Sequence, residues 1–203
     1  MTKRIVLASN NAGKLKEFNS IFSQFKIEVI HQGQFNVPDA VENGLSFIEN
    51  AILKARHGCK NTGLPCIADD SGLEVSALGG QPGIYSARLA GDNATDEDNI
   101  TRLLEVSKKI PQNQRQARFR CTMVYMRDAN DPAPIIAEGI LEGMITDQRC
   151  GKNGFGYDPV FYLPEFNKTC GELTRAQKNK ISHRANATNS LLKKLIANKL
   201  VNP

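Results

Sequence analysis

Asp69 and Asp70 follow a short apolar run, Cys66-Ile67-Ala68, and lead directly into Ser71, Gly72 and Leu73. Two carboxylates and a hydroxyl so placed can hold a hard cation, accept a proton or bind a polar ligand. Open α/β sheets deliver their chemistry at the carboxyl ends of strands, where the backbone leaves the sheet. The run over 66–68 is therefore read as a buried strand that ends at the acidic pair. Adjacent side chains of an extended chain point to opposite faces, so one carboxylate meets the chemistry and the other ties down the turn. Asp, Ser and Gly also favour plain turns, and on this stretch alone turn punctuation is the simpler reading.

The other candidates shift that balance. Ser9, Asn10, Asn11, Ala12, Gly13 and Lys14 lie between a strand over 5–8 and a helix whose stripe is Leu15, Phe18, Phe22 and Phe25, with Ile21 beside it. A small polar turn opening a helix offers backbone N–H groups and the positive end of the dipole to an anion such as phosphate. It is not a Walker A loop, since the spacing and the final Ser/Thr are missing. A capped helix with a solvated lysine explains the stretch equally well. Glu42, in a loop over 38–44 that also carries Asp39, stands just before the next helix, where a carboxylate serves the dipole or a metal. Further on, the glycines of Gly151-Lys152-Asn153-Gly154-Phe155-Gly156-Tyr157-Asp158-Pro159 let the backbone approach a ligand, with Phe155 as a stacking surface. Lys178 and Ser182-His183-Arg184 follow. Ser182 is a natural cap, and two cations in the first turn of a helix conflict with its dipole unless an anion lies between.

Simple elements position these residues. Residues 26–31 alternate like a strand. Ser46-Phe47-Ile48-Glu49 is a capping box that opens a helix with an apolar face of Phe47, Ile48, Ala51, Ile52 and Ala55. Asn50 and Lys54 are one turn apart and share another face of it. The glycine-rich stretch 79–88 reads as a surface loop. Thr95 and Asp98 start a helix that uses Ile100, Leu103 and Leu104. Residues 117–127 alternate Phe119, Cys121, Met123 and Tyr125 with Arg118, Arg120 and Thr122, and with a strand over 135–141 they predict an antiparallel hairpin across a Pro-rich turn. Arg118 and Arg120 are read as its solvated face. A strand over 160–163 and a last helix using Ala185, Leu192, Leu195 and Ile196 complete the chain. No internal repeat or linker interrupts it.

Length and composition set the class. The 203 residues are 40% hydrophobic and 23% charged, which suits one sizeable globular domain over 1–203 or two joined lobes. No apolar run approaches the ~20 residues that span a bilayer. The first residues enter a strand-like run rather than a signal-peptide core, so the expected location is the cytoplasm, with no membrane partner. Five cysteines (59, 66, 121, 150 and 170), odd in number and without Cys-x-x-Cys, argue against a disulfide framework or zinc knuckle. The net charge of +5 fits an anionic ligand, and it also fits plain solubility.

Taken together, the stretches from Ser9–Lys14 through Glu42, Phe47-Ile48-Glu49-Asn50-Ala51, Lys54-Ala55, Ala68–Leu73, Pro82–Arg88, Gly154–Pro159, Glu172-Leu173-Thr174, Lys178 and Ser182-His183-Arg184 resemble the inosine triphosphate pyrophosphatase family, also called dITP/XTP pyrophosphatases. The resemblance covers nearly the whole chain. The small departures (Asn11-Ala12, Cys170-Gly171, and Arg175-Ala176 where acidic residues often stand) remove no functional residue. It implies an elongated three-layer αβα fold, with a long mixed sheet and two lobes around a central active-site cleft. It also implies a Mg2+-dependent homodimer that hydrolyses ITP, dITP and XTP to the monophosphate and pyrophosphate, keeping deaminated purines out of DNA and RNA.

On that resemblance, Glu42 and Asp70 are the metal ligands, as befits magnesium's use of one or two carboxylates plus substrate phosphates. Asp70 also orients or deprotonates the attacking water. Lys14, Lys54 and Lys178 neutralise the triphosphate, and Ser9, Asn10, Asn11, Ala12, Gly13 and Ser71 line it. Phe155 stacks on the base, Gly156, Tyr157 and Asp158 shape the loop, and Arg184 with His183 donates toward O6. By the opposite-face argument, Asp69 acts more through stability. The competing readings are a related nucleotide phosphatase of different base or product specificity, and a nucleic-acid-binding module. Six per cent aromatics without tryptophan makes a poor stacking platform, so no stable nucleic-acid complex is expected.

Overall fold

Alternation along the first strand sets the layering. β1 (Lys3–Leu7) buries its last three residues, the pattern of a strand covered on both faces. It runs parallel to β2 (Ile27–His31) and to β3 (Cys66–Val75), with Ile5 opposite Val29 and Leu7 opposite Ile67. Ile5, Leu7 and Ile67 face Phe18 and Phe22 of α1 (Ala12–Phe22) and Leu191 and Leu195 of α5 (His183–Ala197). Val6, Ala8, Cys66 and Ala68 face the opposite way, onto Ala51, Ala55 and Cys59 of α2 (Phe47–Thr62). Burying each large apolar side chain contributes ~1.5–3 kcal/mol, so these layers fix the register of every residue between them.

The computed structural model describes residues 3–10 and 12–201. Asn11, expected in the phosphate turn, lies outside the described residues, as do Met1 and Thr2 of the strand-like start. Seven strands form one mixed sheet in the order β2-β1-β3-β4-β5-β6-β7, with β4 (Gln116–Met126), β5 (Ile135–Ile145), β6 (Phe161–Leu163) and β7 (Lys168–Thr169). It is parallel at β1/β2 and β1/β3 and antiparallel at β5/β6 and β6/β7. The fold class is α/β, as expected. The chain divides into two compact units, the first made of Met1–Asp70, Cys121–Glu138 and Ala187–Pro203, the second of Ser71–Arg120 and Gly139–Asn186. The first has the helix-sheet-helix layering just described. In the second, Leu73, Val75, Phe119, Ile145 and Phe161 of the sheet pack with Ile100 and Leu103 of α3 (Asp96–Ser107), and with Tyr157, Val160 and Leu173. The remaining helix, α4 (Arg175–Ile181), also lies in this unit.

Several expectations are corrected. The strand carrying the acidic pair does not turn at Asp69; β3 continues through Asp-Asp-Ser-Gly to Val75. Its neighbour β4 and the lysine partners of both carboxylates hold the backbone extended against local turn propensity. The supposed loop over 79–88 contains a 3₁₀ helix, Gly83–Arg88, with Ser86 buried. Its hydroxyl accepts the Leu73 N–H at 2.8 Å and donates to Gly83 O at 2.6 Å. Phe25 leaves the first helix for a 3₁₀ turn, and the fifth strand runs on to Ile145. Arg118 and Arg120 are not a free solvated face: both donate to Glu74, at 2.6 and 3.1 Å. All five cysteines are free thiols, four of them buried.

Candidate active site

The first unit collects its chemistry where β1 ends. From β1 the chain crosses to β2 through α1 on one face of the sheet, and from β2 to β3 through α2 on the other. Such a switch point between parallel strands leaves a crevice at their carboxyl ends. Leu7 pairs with Ile67 and the Ala8 N–H donates to Ile67 O at 2.8 Å, after which the Ser9 N–H turns back onto Leu7 O as the chain leaves β1. Period-two alternation then decides the partners. Asp69 lies on the α1 side with Ile67, is buried, and takes the Lys14 ammonium on both oxygens at 2.8 and 2.9 Å. Asp70 lies on the α2 side with Ala68, where Lys54 donates at 3.0 Å and Asn50 at 3.2 Å. The opposite-face reading is what the structure shows.

Glu42 reaches the same group, with Lys54 Nζ 2.7 Å from its Oε2. One ammonium thus bridges Glu42 and Asp70. Burial opposes charge on Lys54, but Asp70, the Glu42 hydrogen bond and the charges of Asp69 and Glu42 outweigh it and raise its pKa. Burial also raises the pKa of Asp70; Lys54 and Asn50 offset part of that rise, while Glu42 adds to it. The Glu42 loop is held along its length. Asn10 and Gln32 both donate to Asp39, at 2.7 and 2.9 Å, and the Gly44 N–H donates to Asn50 Oδ1 at 2.8 Å. Ser46 caps α2, accepting from the Glu49 N–H, as the capping box predicts.

The second unit builds a loop around Asp158. This buried carboxylate accepts the Phe155 N–H at 2.9 Å and is paired with Lys178. Gly154 has φ +83°, and a Cβ there would meet Asp158 Oδ2 at 2.0 Å, so only glycine fits. The Gly156 N–H donates to Asp96 of α3 at 2.7 Å, and the Tyr157 hydroxyl donates to Ser86 O at 2.7 Å. Burial, with the charge of Asp96, pushes the Tyr157 phenol above its ordinary value, so it stays a neutral donor. Phe155 is exposed, with Lys178 Nζ 4.3 Å and Arg184 Cζ 5.7 Å from its ring centre. Arg184 and His183 are buried in the first turn of α5, His183 stacked on Phe119 at 4.9 Å, and Ser182 Oγ accepts the Ala185 N–H as the expected cap.

The expected residues therefore form two sets. Ser9, Asn10, Ala12, Gly13, Lys14, Glu42, Lys54 and Asp70 belong to the first unit, and Ser71, Phe155, Gly156, Tyr157, Asp158, Lys178, His183 and Arg184 to the second. Lys178, expected at the triphosphate, is engaged with Asp158 and Phe155 here. Tyr157 points its side chain into the core rather than outward. Two residues were given no site role beforehand. Asn50 had a signal in its one-turn spacing from Lys54; Asp96 had none, lying 60 residues from Gly156.

Residues 5–194 match the Ham1 family. The chain is 54% identical over 190 residues to the dITP/XTP pyrophosphatase of Salmonella typhimurium and 53% identical to that of Escherichia coli K12, covering 94% of this chain and 96% of each relative. Among solved structures, a HAM1 protein from Coxiella burnetii superposes with a TM-score of 0.92 at 47% identity, over 96% of this chain and 99% of its own. The Ham1 protein of Staphylococcus aureus gives 0.87 at 43% identity, over 97% and 100%. With identity this high across nearly the whole length, the chain belongs to the Ham1 family.

Proposed function

We propose that this protein hydrolyses deaminated purine nucleoside triphosphates (ITP, dITP and XTP) to the monophosphate and pyrophosphate. The observation that carries this reading is the Lys54 ammonium bridging Glu42 and Asp70 at 2.7 and 3.0 Å. Two carboxylates already converging on a cation are a donor set that fits Mg2+, which takes few protein ligands and fills its shell with waters and phosphate oxygens. Glu42 and Asp70 would hold the ion. Once bound, it supplies positive charge to the triphosphate oxygens and to the leaving pyrophosphate.

The chain's own residues supply the rest. Asp70 orients a water toward the α-phosphorus and takes its proton as the new P–O bond forms and the bond to the pyrophosphate oxygen breaks. Lys14, fixed by Asp69, and Lys54 offer charge to the triphosphate, with the turn after β1 donating N–H groups. Lys178 offers a further positive charge, and Ser71 a hydroxyl, to phosphate oxygens. Phe155 stacks on the purine, and Arg184 donates to O6, a group that hypoxanthine and xanthine carry and adenine replaces with a donor. Association as a homodimer in the cytoplasm belongs to the same reading. No helix among the described residues is long and apolar enough to cross a membrane.

The test is product analysis with ITP, with and without Mg2+, alongside the molar mass in solution. Pyrophosphate released only with the metal supports the proposal. Orthophosphate alone would mean a phosphatase of different product specificity.

A further inference from the structure

We infer that Asn50 is a positioning residue that ties the Glu42 loop to the Asp70 carboxylate. Its side chain is buried in α2, and both ends of its amide are used: Oδ1 accepts the Gly44 N–H at 2.8 Å and Nδ2 donates to Asp70 Oδ2 at 3.2 Å. The orientation of the amide follows from its neighbours. A backbone N–H can only donate and a carboxylate only accept, so the oxygen must face Gly44 and the nitrogen Asp70. The approach is close enough that a Cβ on Gly44 would meet Asn50 Oδ1 at 2.8 Å and Glu49 Cβ at 2.6 Å. Gly44 is two residues from Glu42, so the amide links the backbone of the Glu42 loop to the Asp70 carboxylate.

Lys54 makes a bridge between the same two residues, but its ammonium must share them with any cation that arrives. Asn50 carries no charge and bonds Asp70 through Oδ2, whereas Lys54 uses Oδ1. Its tie therefore persists when the ammonium is displaced and leaves Oδ1 available. Groups that orient metal-binding carboxylates in this way are worth roughly 10–100-fold in affinity or activity.

This inference rests on the metal-dependent reading above, and the experiment separates their failures. Mn2+ alone is titrated against the whole protein, followed by the loss of the free-ion EPR signal, for the natural chain, Asn50→Leu and Asn50→Asp. Leu keeps the branched shape, adds some volume and removes both bonds; Asp conserves the volume, keeps the acceptor toward Gly44 and replaces the donor by a carboxylate. The expected result for Asn50→Leu is a Kd for Mn2+ raised about tenfold, faster hydrogen exchange at the Gly44 amide and a similar loss in kcat. Asn50→Asp is expected to retain Gly44 protection while kcat with ITP falls at least about tenfold. If Asn50→Leu does not fold, Asn50→Asp alone decides, and turnover within twofold of the natural chain overturns the inference. An unchanged Kd and kcat in folded Asn50→Leu overturn it equally. If the natural chain itself binds no Mn2+ and turns over without metal, the metal-dependent reading fails instead.

Discussion

Lys14 and Lys54 meet two different kinds of carboxylate. Asp69, its side chain fully enclosed, takes Lys14 on both oxygens, and that lysine is 19% exposed. Asp70 shares its lysine with Glu42 at a more open position. Asp69 thus fixes the Lys14 ammonium, the group proposed for the phosphates, from within a continuous strand. Removing one member of a buried pair costs about 3–5 kcal/mol, since the other keeps its desolvation cost without its partner. Lys14→Met leaves the enclosed member charged, whereas Asp69→Asn leaves a neutral amide and a lysine that can reach water. Lys14→Met is therefore expected to lower the melting temperature by at least ~6 °C, and Asp69→Asn by less. Thermal melts of the two variants check the order, and the reverse order would show that Lys14, not Asp69, carries the burial cost. In the sequence, alternation put Asp69 and Asp70 on opposite faces, and the resemblance chose Asp70 for the metal. Their distinct partners were not legible there, because α1 and α2 had to be placed on opposite faces first.

At the scale of elements, helix caps were legible in the sequence and partners far along the chain were not. Ser46–Glu49 and Thr95–Asp98 announce their helices because cap and partner lie three residues apart. The strand was read as ending at Asp-Asp-Ser-Gly, because the extended form of that stretch depends on β4 and on two lysines far away in sequence. Glu74, later in the same strand, makes the point in a measurable way. Burial pushes its carboxyl up, but hydrogen bonds and charge from Arg118 and Arg120 outweigh that and hold it below its ordinary 4.5. A folded-state pKa below the unfolded one adds stability that is complete above 4.5 and is lost as pH falls through the lowered value. Glu74→Gln should cost at most about 1 kcal/mol at pH 7, these groups being partly solvated. Melts from pH 7 downward should show that deficit closing below 4.5; a deficit independent of pH would mean that Glu74 acts through packing. The glycine loop carries a second element-scale prediction. With φ +83° and Asp158 in the way, Gly154→Ala must push the carboxylate off the Phe155 N–H. Strain of about 1–3 kcal/mol should lower the melting temperature by roughly 2–12 °C. It is expected to raise KM for ITP about tenfold, that being the scale of the strain, and steady-state kinetics that show only kcat falling would count against it.

For the whole molecule, the residues divide by the job proposed for them. Carboxylates and lysines suited to metal and phosphate (Lys14, Glu42, Lys54 and Asp70) come from the first unit, and the ring and guanidinium suited to a base (Phe155 and Arg184) from the second. The division predicts separable phenotypes. Glu42→Gln removes one of two carboxylates from the cation position, so about tenfold more Mg2+ should be needed for half-maximal turnover. The ratio of ITP to ATP turnover should stay put, since nothing about the base has changed. Arg184→Ala should do the opposite. A site that hydrogen-bonds a substrate group can reject the mismatched analogue by ~10⁴-fold, because buried polar groups are left unpaired. Arg184 is buried beside Phe155, where a donor is shielded enough from water to discriminate in this way. Its loss should lower ITP turnover far more than ATP turnover and leave the Mg2+ titration where it was. Both variants are read in one experiment, a metal titration repeated with each nucleotide. Should Arg184→Ala depress ITP and ATP by the same factor, the guanidinium serves phosphate or the start of α5, and base recognition must be sought elsewhere on the second unit.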